Sequence, residues 1–126
     1  MAKERKVAFS AQTPYEAAPE VVCYQDTWDV HIPAVRRVAP EIEQVTVTTL
    51  SQPSVIVSGT TNPGYVAFVN QTQVTPNSGN PFVVFVDPQA TDPEGKNKPA
   101  VASIGYRRDF KDLEKHNVLW LPPQKK

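Results

Sequence analysis

Pro40-Glu41-Ile42-Glu43-Gln44-Val45-Thr46-Val47-Thr48-Thr49-Leu50-Ser51-Gln52-Pro53 is the stretch on which the fold turns, because two periodicities compete for it. Ile42, Val45, Thr49 and Leu50 fall on one helical stripe, Pro40 suits a first helical turn, and Pro53 stands beyond the end, all of which read as a helix. Val45 to Thr49 is β-branched throughout and alternates, so on local propensity it reads as a strand. Glu41 and Glu43 suit a helix start, since carboxylates at the amino end face the positive pole of the helix dipole, and a helix is the expectation kept here.

Downstream of this stretch four apolar runs follow in meander order, near 54–58, 65–69, 82–86 and 100–106. The Asn62-Pro63-Gly64 turn and the polar run from Thr75 to Asn80 separate the first three. Phe82-Val83-Val84-Phe85-Val86 is apolar at every position, which predicts a central strand covered on both faces. In the last run, alternation puts Val101, Ser103 and Gly105 on one side and Ala102, Ile104 and Tyr106 on the other. Upstream, Val21 to Tyr24 is a short apolar run that suits a strand or a segment pinned against the core. Asp26 or Thr27 offers an N-cap for a short helix carrying Trp28, His31, Ile32 and Val35 on one face, with Pro33 close to its first turn. Helices first and strands after is the α+β signature: N-terminal helices packed on one face of a four-stranded antiparallel sheet.

The chain of 126 residues is long enough for one domain with a substantial core. The expected organisation is a poorly ordered arm at 1–20, a single domain at 21–121 and a tail at 122–126. Cys23 is the only cysteine, so an intrachain disulfide is excluded, and a reducing compartment is the simplest reading. The charged start Met1 to Lys6 leads into no long apolar stretch, which predicts a soluble cytoplasmic protein without a membrane association. Asn70-Gln71-Thr72 matches a glycosylation sequon, a match without consequence outside a secretory route.

Thirteen Lys or Arg balance thirteen Asp or Glu, so no global field steers the chain onto nucleic acid. No charged residue occurs from Gln44 to Val86, whereas basic side chains gather at Lys3 to Lys6, at Arg36 and Arg37, and from Lys96 to Lys115. Each cluster alone is what a solvated surface looks like; their meeting in space would carry information. Two histidines and one cysteine, far apart, do not make a zinc site, and no glycine-rich phosphate loop or Gly-x-Ser-x-Gly elbow is present. No cofactor is expected.

Asp26-Thr27-Trp28-x-x-His31-Ile32, a basic residue ahead of Pro40-Glu41, Gln52-Pro53 at the helix end and a final strand closing in Gly105-Tyr106-Arg107 together resemble a known group. They look like the phage and prokaryotic nuclease-like domains of the barnase, EndoU, colicin and RelE (BECR) superfamily, over about residues 20–110. The resemblance implies an α+β nuclease fold and RNA cleavage by a toxin or phage-derived protein, with RNA and an antitoxin or immunity protein as partners. His31 falls on the first histidine of that pattern and Arg37 on its basic residue. Val38 and Ala39 stand where the pattern has a second histidine, and Ile104 replaces a hydroxyl residue, with Ser103 next door.

Metal-independent cleavage needs a base for the ribose 2'-hydroxyl, an acid for the leaving oxygen and cations for the phosphorane. His31 has a side chain that titrates near neutrality and serves either proton role. Tyr106 and Ser103 can donate a hydrogen bond or proton, and Arg37 can hold the phosphate in bidentate fashion. Arg36, Arg107 and Arg108 are the candidate RNA-binding residues. His31 between Val30 and Ile32 equally suits a hydrogen-bonded structural residue, and Tyr106 a strand end with its hydroxyl in water. Two functions are therefore expected as alternatives: a ribonuclease, or a catalytically silent binding or structural module on the same fold.

Overall fold

A computed structural model of the chain describes residues 6–16, 18–29, 42–58, 64–74, 79–91, 94–110 and 117–121. In chain order it places β1 (Val7–Gln12), β2 (Glu20–Tyr24), a short helix α1 described over 25–29, α2 (Ile42–Ser51), β3 (Val55–Ser58), β4 (Val66–Val74), β5 (Pro81–Asp87), β6 (Ala100–Tyr106), a 3-10 turn (Arg108–Phe110) and β7 (Val118–Trp120). The strands form one seven-stranded mixed sheet in the order β1-β2-β6-β5-β4-β3-β7.

This corrects the expected fold class of N-terminal helices on a four-stranded antiparallel sheet. The four segments foreseen are the antiparallel meander β3 to β6, but they are the middle of a larger and mostly β structure. Residues 7–12, assigned above to a poorly ordered arm, form β1, and its partner β2 joins β6 in parallel through the register pair Val22 and Ala100. β7 closes the opposite edge against β3. The described part of α1 begins at residue 25, and Asp26 accepts the Thr27 amide through its carboxylate at 2.8 Å. The remainder of the helix expected there, from Val30 onward, lies outside the described residues.

α2 is a helix despite its β-branched centre, and tertiary packing explains why. Thr46, Thr49 and Leu50 are buried with Val45 half-buried, whereas Glu43, Gln44, Thr48 and Ser51 are exposed: a helical stripe, laid against β1, β4 and β5. Threonines in that stripe need partners once away from water. The Thr49 hydroxyl donates to the Val45 carbonyl at 2.7 Å and accepts from Asn70 Nδ2 at 3.1 Å, which ties the helix to β4. Pro53, with no amide to donate, follows the last helical bond from Gln52 to Thr48.

The main core lies on the helix side of the sheet. Ile56, Phe68, Val84 and Ile104 form one cross-strand row there, with Val21, Cys23, Trp28 and Leu50 packed over the same layer. Trp28 of α1 meets Phe9 of β1 edge to face at 5.0 Å, so β1 and α1 hold each other on the sheet. A second apolar layer of Val55, Val57, Ala67, Val69 and Val83 lies on the far side beneath Phe110. No helix among the described residues is long and apolar enough to cross a membrane.

Candidate functional site

The register of β5 against β6 decides where the candidate groups point, because cross-strand partners share a face of the sheet. Phe82 pairs with Tyr106 and Val84 with Ile104, all on the helix side. Val83 pairs with Gly105 and Phe85 with Ser103, on the far side. Beyond Ser103 a bulge inserts Ala102, so Val86 pairs with Val101. Val101 consequently joins the helix-side core rather than the Ser103 face to which strict alternation assigns it. The bulge lies on the side of Ser103 away from Tyr106, so the register from Ser103 to Tyr106 is unbroken and the two stay on opposite faces.

Tyr106 is half-buried, with its ring 5.4 Å from that of Phe82 and packed against the cluster that contains Trp28. Ser103, half-buried, stands on the opposite face. Arg107 follows Ser103: its guanidinium carbon lies 5.4 Å from the Phe85 ring centroid. A Cβ on Gly105 would lie 3.7 to 3.9 Å from the Arg107 guanidinium, an ordinary contact, which places that side chain back along the strand over Gly105. The Arg107 amide donates to the Pro81 carbonyl at 3.0 Å, fixing the point at which the side chain leaves the sheet.

Arg108 is exposed and opens the 3-10 turn that delivers Phe110 onto the far face, where its ring stands 5.6 Å from Phe85 at 69°. The sheet thus separates the candidates that can be placed. Ser103 and Arg107 share the far face with two phenylalanines, and Tyr106 belongs to the helix face. His31, Arg36 and Arg37 lie outside the described residues. Among the described residues no group of three His, Cys, Asp or Glu side chains stands close enough to hold a metal ion.

No family model, curated protein or solved structure matches this chain. Its chemistry must be read from its own residues.

Phe85 and Phe110 are the members of the far-face group that sequence reasoning missed. An apolar strand offers no reason to single out one phenylalanine, yet the parity of the run was available: Phe82 and Phe85 are three apart and so face opposite ways. Phe85 is half-buried where Phe82 is fully buried, and its flanking partners in the register row are the small residues Ser103 and Ala67. A ring, a guanidinium and a hydroxyl on one partly open face can together take up a planar group and an anion.

Cys23, the remaining nucleophile, sits in the main core with its Sγ 3.8 Å from the Tyr24 carbonyl. Burial, with a smaller push from the Asp26 carboxylate, raises its thiol from 9.0 to about 12. It is a packing residue held in its unreactive form.

Proposed function

We propose that this chain is an RNA-binding module that works without cleaving, and that RNA lies on the far face of the sheet against Arg107, Arg108, Phe85 and Ser103. The observation that carries this reading is the gathering of Arg107, Phe85 and Ser103 on one face while Tyr106 stands on the other. Binding needs the first group; acid-base cleavage needs groups brought to one place. The neutral overall charge fits a local contact with few phosphates rather than a broad electrostatic footprint.

Fluorescence anisotropy with a labelled RNA oligonucleotide tests the proposal. Two arginine–phosphate contacts predict a salt slope of about −1.4 to −1.8, which is roughly a tenfold loss of affinity between about 50 and 200 mM salt. Arg107→Ala should reduce that slope by about 0.7 to 0.9. Absence of binding at the lower salt, or a slope untouched by Arg107→Ala, rejects the assignment.

A second reading, metal-independent ribonuclease activity of a toxin or phage-derived effector with an antitoxin or immunity protein, is favoured by one observation. Tyr106 packs against the same cluster as Trp28, and Trp28 precedes His31 by three residues. Cleavage by 2'-hydroxyl attack should leave 2',3'-cyclic phosphate ends and resist chelators. His31→Ala should slow it by ~10²-fold or more, and Tyr106→Phe should slow it while leaving binding on the far face intact. Intact RNA after prolonged incubation removes this reading and leaves the first standing.

A further inference from the structure

The geometry points to Phe85 as a stacking position for an unpaired base, with Arg107 as the side chain that gives up the ring to it. This rests on the RNA-binding reading and adds its substrate class: single-stranded RNA rather than duplex.

The ring is placed for this. In its cross-strand row Phe85 stands between Ser103 and Ala67, and Gly105 lies beside Val83 in the next row, so among the described residues its direct cross-strand neighbours are small. Phe110, itself buried, meets Phe85 edge to face at 5.6 Å and holds the orientation of the ring. What lies over Phe85 is the Arg107 guanidinium, 5.4 Å from its centroid. Arg107 is exposed and sits just past the end of β6 on a long side chain, so it can leave without disturbing the sheet.

The exchange costs little because one flat π-contact replaces another. A guanidinium over a half-buried ring at the surface is a weak contact, and a base stacks on an aromatic face more strongly. Released from the ring, Arg107 is free to pair with the adjacent phosphate, for which its planar fork is suited. Ser103 places a hydroxyl beside the base for a hydrogen bond to its edge. Bases inside a duplex are already stacked and paired, and a ring on a sheet surface does not reach them, whereas a single strand can splay a base outward.

The test uses the full chain with a single-stranded RNA dodecamer carrying one 2-aminopurine, and the same strand annealed to its complement. Expected are single-strand binding at least about tenfold tighter than duplex binding and quenching of 2-aminopurine on binding. Phe85→Leu should lose both preference and quenching but keep the salt slope, and Phe85→Tyr should keep all three. Equal affinity for both forms, absence of quenching in the wild type, or an unchanged preference in a folded Phe85→Leu protein overturns the stacking role while leaving RNA binding in place. Failure to bind either RNA overturns both.

Discussion

Thr49→Val probes a polar link between α2 and the sheet, the hydrogen bond that Asn70 of β4 donates to the Thr49 hydroxyl. Valine matches threonine in shape and is also β-branched, so the change removes a hydroxyl from a site with 0% exposure and leaves no cavity. The Val45 carbonyl keeps its helical partner, but Asn70 Nδ2 loses the acceptor it holds at 3.1 Å. Taking the acceptor from one buried N–H of Asn70, whose other contacts remain, costs about 1–3 kcal/mol, from which the new buried methyl group takes back part. The expected net loss is about 1–2 kcal/mol. With a urea slope of about 1.5 kcal/mol/M for a chain of this size, the unfolding midpoint should fall by roughly 1 M. Asn70→Ala should cost more, since Asn70 takes part in further contacts, and the double variant should reveal a coupling of about 1 kcal/mol. A midpoint lowered by less than about 0.3 M, or raised, would mean that the helix is seated by its apolar residues alone.

Other substitutions test other parts of the account. The Cys23 thiol keeps its proton in the folded state well above 9.0, up to about 12, so its contribution to stability is complete below pH 9 and is lost as pH rises from 9 toward 12. Thermal unfolding across that window should therefore fall more steeply for the wild type than for Cys23→Ala, and parallel curves would contradict the burial argument. At pH 8 the native thiol should react with a disulfide reagent far more slowly than the urea-unfolded chain. Trp28→Ala removes a side chain that is 8% exposed and packed edge to face on Phe9, and it should cost about 3–5 kcal/mol in urea unfolding. A cost below about 1 kcal/mol would show that α1 does not hold β1.

How far the sequence speaks for itself varied along the chain for physical reasons. β3 to β6 are legible because each is an apolar run bounded by turn residues, and α2 because its buried stripe outweighs the preference of Val45 to Thr49 for a strand. β1 has no such signature: Val7 to Gln12 mixes small, polar and apolar residues, and becomes a strand through pairing with β2 and through Phe9 on Trp28. The parallel contact of β2 with β6 is invisible locally, since it joins residues 22 and 100. At the site, alternation correctly separates Ser103 from Tyr106. It misplaces Val101, because a bulge writes no mark in the sequence when the inserted residue is an ordinary alanine. The prominence of Phe85 depends on neighbours from two other strands, and no window on β5 contains them.

The parallel join between Val22 and Ala100 also sets a timetable for the nascent chain. The two residues are 78 positions apart, so at the ribosome's pace of about 5–20 residues per second β2 waits roughly 4–16 s for the strand it lies beside. During that wait β1 and β2 can pair with each other but have no sheet to join, and Val21 and Cys23 remain in water instead of in the core. β2 is thus made well before the strand it lies beside, and β7, made after β6, closes the other edge later still. The early strands are the segment most in need of shelter while translation runs.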